Sequence, residues 1–425
     1  MEIVQSAGLA APKLTSENFA DVIVIGGGAS GFFGAITSKE RKPEQSVLIL
    51  EKSTRLLSKV KVSGGGRCNV THNCFNPFRL AAHYPRGERA LKELFKRFQA
   101  SDMVEWLNIR GVELKSEDDG RMFPITDDSQ TIIDTFIRSA QTLGVRIRLN
   151  TEVVSIHTEN GLFRIACRGG DVLWCRRVLV CAGGSPKIDA YNYLRHAGHN
   201  VISPIPSLFT LNDPSKEFSD LMGVSVGSGE IRITGTNYSQ RGPLLITHWG
   251  LSGPAVIKLS AWAASYLHQE NYSVDVLVNW TDLTKEDDVK KELHSAKLNR
   301  PKQRVLKSCP FQLPGRLWEK LCSRAGVEED RIWGELPGKL QNRLLENLFR
   351  CKFSIKGKTT FKEEFVTCGG VDLKEVDLQT MQSKIVPGLY FAGEVLNIDG
   401  ETGGFNFQAA WTTAFVAGNA IAEAL

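Results

Sequence analysis

Glycines, acids and one arginine recur in this chain at spacings suited to gripping a phosphate-bearing ligand. Residues 26–31 read GGGASG, a G-x-G-x-x-G made by Gly26, Gly28 and Gly31, with Ser30 inside it. Gly26 allows a tight turn, Gly28 lets a diphosphate approach the backbone, and Gly31 lets a helix press against a strand. Glu51 follows 25 positions after Gly26 and can accept from a ribose hydroxyl, which favours an unphosphorylated adenosine ribose. Residues 63–69 read SGGGRCN, so Gly64, Gly65 and Gly66 precede Arg67 and Cys68. Such a backbone can wrap closely around a ligand. Arg67 then neutralises an anion, or it is an ordinary solvated arginine on a surface turn. Cys68 is a reactive thiol at that ligand, or a buried inert one. Near the other end, GLYFAGEVLNIDGETGGFNFQAAW (residues 388–411) brings together Gly393, Glu394, Gly403, Gly404, Phe405 and Asn406.

These residues need elements to hold them. The apolar run DVIVIG leads into the glycine turn, FFGAITSKER continues as a helix, and SVLILE forms a second strand ending at Glu51. A lone G-x-G-x-x-G is weak evidence. A strand, turn, helix and strand closed by an acid is a dinucleotide-binding unit, with the helix N-terminus facing the phosphates. That unit does not choose between NAD and FAD. The C-terminal segment chooses FAD. GLYFAGE is a strand whose end resembles a second FAD fingerprint, A-x-G-D/E. There Glu394 would hold a ribityl hydroxyl or the bridging phosphate. GGFNFQAAW then opens a helix whose N-terminus would face the flavin N1–C2=O edge and favour negative charge. Asn406 and Gln408 are polar groups near the isoalloxazine or the capping turn, and Arg67 could serve near N1. No second G-x-G-x-x-G unit stands in the middle of the chain. A nicotinamide would therefore visit the same face as the substrate, or an external reductant would serve.

The intervening sequence reads as further elements. Residues 86–116 and 129–143 read as helices. VRIRLN, TEVVSIHT, GLFRIACR, DVLWCR and RVLVCAGG read as short strands of a meander, with turns at Asn160-Gly161 and Gly169-Gly170. The last strand resembles the A-T-G element of two-dinucleotide-type flavoproteins, a resemblance that implies Ala182 and Gly183 near the phosphates and a backbone contact with adenine at Val153 or Val154. Residues 222–279 are β-rich around one helix (GPAVIKLSAWAASYL), residues 284–349 are helical, and residues 351–356 and 363–368 are strands. The expected fold is α/β: a discontinuous three-layer Rossmann-like FAD/NAD(P)-binding domain over 1–203 and 363–425. A β-barrel-like insert covers 204–281 and 350–362, and a helical insert covers 282–349. In the insert, THWGLSGPA places His248 either at an active-site border, as a proton donor, or in a buried structural turn. Lys290, Lys291, Lys297, Arg300, Lys302, Arg304 and Lys307 form a basic concentration, joined by Arg350, Lys352, Lys356, Lys358 and Lys362. It is a solvated helical face or an RNA surface, and the lack of interleaved aromatics weakens the latter.

Composition narrows the class. Net charge is +5, compatible with an anionic cofactor, an anionic substrate or RNA. Nine cysteines without a C-x-x-C pair argue against a disulfide framework and structural zinc, and suggest a reducing compartment; no metal is expected. No apolar run reaches the roughly 18–20 residues of a membrane span. The first 20 residues lack a secretory layout and the arginines of a transit peptide, although they could remain after removal of one.

With VIVIGGGASG, LLSKVKVSGGGRCNVTH, PSLFTL, ITHWGLSGPAVIKLSAW, VTCGGVDLKEVDLQTMQSK and the 388–411 segment, the chain resembles the aminoacetone oxidase family of NAD(P)/FAD-dependent oxidoreductases over roughly 21–420. The resemblance implies noncovalent FAD contacted at Gly26, Gly28, Gly31, Glu51, Lys52, Arg67 and Asn69. Further contacts fall at Gly183, Gly393, Glu394, Gly404, Phe405 and Asn406. Two departures stand out: Phe405 replaces a tyrosine common in the family, and the chain runs from SPKIDAY into LRHAGH with only Asn192 and Tyr193 between, shortening a loop near the pyrophosphate. The shorter form resembles that of photosynthetic lineages and suggests a plastid. The expected activity is hydride transfer through flavin N5, to or from an unidentified substrate at the junction of FAD domain and insert, with NADPH or NADH as a transient reductant. Expected partners are a small-molecule substrate or RNA, with no DNA and no membrane. The alternatives are a flavin-dependent reductase of uridine in RNA and a flavin-binding scaffold or sensor without turnover.

Overall fold

The computed structural model describes residues 14–359 and 366–425, which divide into two compact units. The first holds residues up to 204, 369–398 and 403–425; the second holds 205–368 and 399–402.

In the first unit, β1 (Phe19–Ile25) lies centrally in a sheet. It pairs in parallel with β2 (Val47–Leu50) on one side and with strand Val172–Val180 on the other. Arg146–Arg148 extends the sheet beyond β2, and Leu389–Phe391 extends it beyond Val172–Val180, both in parallel. Strands buried on both faces can be continuously apolar, which is why DVIVI and VLIL carry no alternation. Helix α1 (Ala29–Arg41) packs against the C-terminal helix Phe405–Glu423. The two cross where Gly34 and Gly418 lack side chains: a Cβ on Gly418 would stand 2.7 Å from the Gly34 carbonyl oxygen. Around that crossing, Phe33 meets Trp106 edge-on at 5.1 Å and Phe136 stacks on Trp411 at 5.2 Å.

Several sequence expectations change here. DVLWCR and RVLVCAGG are one strand, Val172–Val180, rather than two. Arg176 does not mark a turn; it pairs with Asp21 at 2.9 Å while the strand runs on. VRIRLN is no part of the meander, because Arg146–Arg148 lies parallel to β2. The meander hairpin is Val153–Glu159 with Leu162–Cys167, turning at Asn160-Gly161, where both φ angles are positive. Residues 86–116 form two helices, Glu88–Leu94 and Ala100–Asn108, the second opened by a Gln99–Asp102 capping box, and then a strand, Leu114–Ser116. GPAVIKLSAWAASYL is likewise two helices, broken at Ala263.

The second unit is an antiparallel sheet ordered 351–356, 273–279, 225–233, 239–246, 250–252, 210–212 and 358–359. Its first and last members are halves of one strand bent at Gly357, whose φ is +89°. The first half pairs with Ser273–Asn279 and the second with Thr210–Asn212, so the ring of pairings closes. Helices Glu286–Asn299, Gly315–Ala325 and Gly338–Phe349 share one core with the strands, in which Ile231, Leu244, Val276 and Phe353 meet Leu293, Trp318 and Leu344. Barrel and helices are thus one unit rather than two. Of the 363–368 strand, residues 366–368 belong to Val366–Val371, and 363–365 lie outside the described residues. No helix of the described residues is long and apolar enough to cross a membrane.

Candidate functional site

β1 delivers the chain into the turn at Gly26, whose φ is +111°. A Cβ there would lie 2.3 Å from the Cys181 carbonyl oxygen, and one on Gly31 would lie 1.9 Å from the Gly26 carbonyl oxygen. Both glycines are therefore required by the packing of turn, strand and helix. Gly28 differs: a Cβ would meet nothing within 4 Å. Gly28 is also the N-cap of α1 and offers no side-chain cap, so the first-turn N–H groups can serve an external anion. Ser30 is buried, and a Cβ on Gly393 would lie 2.5 Å from its Oγ. Open space also borders Gly65, Gly66 and Gly183, all with positive φ. The open space beside Gly28 at the α1 N-terminus fits a pyrophosphate.

Glu51 is already oriented. Its Oε2 accepts from the Gly27 N–H and its Oε1 from the Ser53 N–H, each at 2.8 Å. Each oxygen keeps a lone pair for a ribose diol. Lys52 is exposed and acts electrostatically on Glu152, after the larger effect of Arg168. Val154 is the extra residue of a β-bulge, since the register shifts between Val153 and Ser155. A bulge frees backbone groups from the ladder, as reading an adenine edge requires.

The Ser63–Asn69 loop turns through positive φ at Gly64, Gly65, Gly66 and Cys68. Arg67 does not extend into open space. Its Nη1 donates to Glu117 Oε1 at 2.6 Å, its guanidinium lies 3.7 Å from Asp127, and it covers the Phe123 ring at 4.0 Å. The Glu117 hydrogen bond, ahead of other influences, raises its pKa. Its charge is committed to carboxylates, in contrast with the expected role against an anionic ligand. Cys68 needs a firmer correction. It is fully buried, and desolvation pushes its thiol up to about 12, so it is a neutral packing group rather than a reactive thiolate. The Asn69 amide accepts from the Gly404 N–H at 2.9 Å and donates to the Thr71 carbonyl at 3.0 Å, tying this loop to the C-terminal helix.

At that helix, Gly404 is the N-cap with φ +90°, and a Cβ would lie 2.4 Å from the Thr71 carbonyl oxygen. Gly403 has φ +125°. Glu394 follows the turn at Gly393 and accepts from Lys59 Nζ at 2.5 Å. A Cβ on Gly184 would lie 2.6 Å from Glu394 Oε1, so the carboxylate closes over the end of strand Val172–Val180, beside exposed Ala182. Asn406 is half-buried. Gln408 is corrected: its Oε1 accepts from Thr71 and its Nε2 donates to Thr412, so its amide is used internally. Phe405 stacks on His83 at 4.2 Å and His72 at 4.6 Å, and Tyr84 donates to its carbonyl at 2.5 Å. Sequence reasoning missed Lys59, His72, His83 and Tyr84. A signal existed in the aromatic-rich stretch THNCFNPFRLAAHY after the glycine loop.

In the second unit, His248 is exposed in the Thr247–Gly250 turn, its ring 4.1 Å from Trp249, beside a recess lined by Asp213, Lys216 and Phe353. It is therefore not a buried histidine. Much of the basic concentration is paired: Lys291 with Asp288, Lys307 with Glu319, Arg350 with Glu286, and Lys352 with Asp275. Lys297 and Arg300 donate to backbone carbonyls, and Lys358 covers the Tyr272 ring. Lys290, Lys302, Arg304 and Lys356 are exposed; Lys362 lies outside the described residues.

Comparison with known proteins gives four findings. The family model for the HI0933-like protein Rossmann domain matches residues 20–420. The chain is 31% identical over 405 residues to the ribosomal RNA dihydrouridine synthase of Escherichia coli (strain K12), covering 93% of this chain and 96% of that one. It is 27% identical over 417 residues to the 3-dehydro-bile acid delta(4,6)-reductase of Clostridium scindens, covering 94% and 98%. Among solved structures, 3-ketosteroid-delta4-(5alpha)-dehydrogenase from Rhodococcus jostii RHA1 aligns with a TM-score of 0.52 at 15% identity, over 96% of this chain and 97% of that one, a likeness of fold.

Proposed function

Because the chain belongs to the HI0933-like Rossmann-domain family and is an FAD-dependent oxidoreductase, we propose that it saturates a carbon–carbon double bond of uridine in RNA. NADPH or NADH would be the electron source. The observation that carries this reading is the 31% identity, over 96% of its length, to a protein named for making dihydrouridine in ribosomal RNA. A delta(4,6)-reductase is named for the same kind of bond, so the second reading is a small conjugated ketone as substrate.

Bound FAD supplies hydride transfer. The chain supplies the rest. Gly26, Gly28, Gly31 and the α1 N-terminus hold the pyrophosphate, with Gly64 keeping the Asn69 backbone close and Gly183 leaving its surroundings open. Glu51 holds the adenosine ribose, Val154 reads adenine, and Lys52 lends positive charge at the rim. Glu394, fixed by Lys59, binds a ribityl hydroxyl beside Ala182 and Gly393. Gly403, Gly404 and Asn69 set the start of the C-terminal helix, whose N–H groups favour negative charge at that end. Phe405 and Asn406 form its first turn. Of the three catalytic candidates, Cys68 is withdrawn, Arg67 orients Glu117 and Asp127 around the glycine loop, and His248 alone keeps an accessible proton-transfer group. The short connection after Gly184 extends the proposal to a plastid, which a fluorescent fusion in a photosynthetic cell tests.

Anaerobic stopped-flow absorbance tests the reading. NADPH or NADH should bleach the visible flavin band, and uridine-containing ribosomal RNA should restore it while gaining dihydrouridine by mass spectrometry. Bleaching reversed by conjugated ketones and not by RNA would favour the second reading. Bleaching by small amines, with hydrogen peroxide release, would return the amine-oxidase activity that the family resemblance carried.

A further inference from the structure

Resting on the RNA reading above, we propose that residues 72–97 form a stacking platform for single-stranded RNA that leads to the target base. The segment lies within the first unit. It presents two large rings to solvent, Phe75 at 47% and Phe78 at 58% exposure. A soluble surface scatters single apolar residues without consequence, but two phenylalanines three positions apart, set among cations, form a patch. The rings are not on a floppy loop. Asn76 caps the short helix Pro77–Ala81 by accepting from the N–H groups of Phe78 and Arg79, each at 3.0 Å.

Charge picks the occupant. Residues 72–97 hold six Lys and Arg against two Asp and Glu, whereas the whole 425-residue chain has a net charge of only +5. Lys96 Nζ lies 5.8 Å from the Phe78 ring centroid. Arg79 and Arg89 are exposed and make no ion pair among the described residues. Exposed aromatics interleaved with cations are what a single-strand groove needs: rings stack unpaired bases while cations follow the phosphates. A duplex offers no free base faces, so the rings select unpaired RNA. The other end of the segment reaches the flavin-facing helix start, through the His83–Phe405 stack and the Tyr84 hydroxyl. A strand lying across Phe75 and Phe78 therefore arrives at an element already rigidly joined to Gly404. This is the aromatic interleaving that the basic helical region of the second unit lacks.

The test uses FAD-loaded protein and fluorescein-labelled oligouridine, single-stranded or in a duplex, read by fluorescence anisotropy. Flavin content controls for folding. Wild type should prefer the single strand. The double variant Phe75→Ala/Phe78→Ala should bind it about tenfold more weakly or worse, and Phe75→Tyr/Phe78→Tyr should stay within about threefold. Equal binding by the alanine variant, with dihydrouridine still formed by wild type, overturns the platform and leaves the reductase reading standing. Preference for duplex overturns it too. So does an alanine variant that changes only self-association in sedimentation. If wild type neither binds RNA nor forms dihydrouridine, the reductase reading falls and the platform falls with it.

Discussion

Two alanine substitutions one helical turn apart should have opposite consequences. Gly28 has φ −93° and ψ −167°, extended backbone open to any residue, and a Cβ there meets nothing within 4 Å. Gly28→Ala should leave the stability of the flavin-free protein within about 0.5 kcal/mol of wild type. The space that the methyl fills is the space proposed for the pyrophosphate. A methyl placed there should cost about 3 kcal/mol of binding, a loss of roughly a hundredfold in FAD affinity. Gly31→Ala reverses this. Its Cβ would sit 1.9 Å from the Gly26 carbonyl oxygen, a backbone atom that cannot rotate away. Turn and helix must part, destabilising even the flavin-free protein by about 3 kcal/mol. The assay strips FAD with chaotrope, follows urea unfolding of each flavin-free protein, and then titrates FAD by quenching of its fluorescence. Wild-type FAD affinity in Gly28→Ala would refute the assignment of the cradle. Wild-type stability in flavin-free Gly31→Ala would refute the packing argument.

Glu51→Gln replaces one acceptor with an NH2 facing a backbone N–H, removing a charge-assisted bond worth about 1.5–3 kcal/mol. FAD affinity by the same titration should fall at least about tenfold, and an unchanged value would exclude Glu51 from the ribose. Cys68→Ala should retain NADPH-driven bleaching, and native protein should resist iodoacetamide at Cys68 until unfolded, as peptide mass mapping can show; rapid native labelling would contradict the burial of a thiol pushed up to about 12. His199 is buried against Ser383 Oγ at 2.8 Å, and desolvation lowers its pKa below its ordinary value near 6.5. The folded state thus binds fewer protons than the unfolded one there, and stability is lost as pH falls from about 6.5 through the folded value. Urea unfolding at pH 7.5 and 5.5 should show a smaller acid loss in His199→Gln than in wild type, and an equal loss would remove His199 from the account.

What the sequence disclosed was local in chain. The glycine turn, Glu51 and the start of the C-terminal helix each follow from a few dozen contiguous residues, because strand, turn and cap chemistry act between neighbours. What it concealed was distant. Arg67 finds Glu117 50 positions away, and Tyr84 finds Phe405 321 positions away. No local pattern could announce either pairing. As sequence, DVLWCR and RVLVCAGG divide between Arg176 and Arg177, and the distant Asp21 partner of Arg176 shows how one strand carries both arginines. Cys68 was ambiguous for a related reason: its residue type allows reactivity, and its burial, decided by tertiary packing, removes it. The closed ring of the second unit depended on one bend at Gly357, invisible to alternation counting.

That bend has a consequence for how the protein avoids its own kind. A ring whose first and last pairings fall on one strand leaves no long row of unmated N–H and C=O groups for another chain to zip onto. The mixed sheet of the first unit reaches a similar end by other means. Two of its margins among the described residues are Val376–Asp377 and Arg146–Arg148, two and three residues long, the second with arginine at both ends, and the longer margin Val153–Glu159 is broken by the bulge at Val154. Short charged margins make poor templates for intermolecular strand addition. Self-association of this protein should therefore proceed through side-chain surfaces, leaving amyloid-like pairing to the unfolded chain.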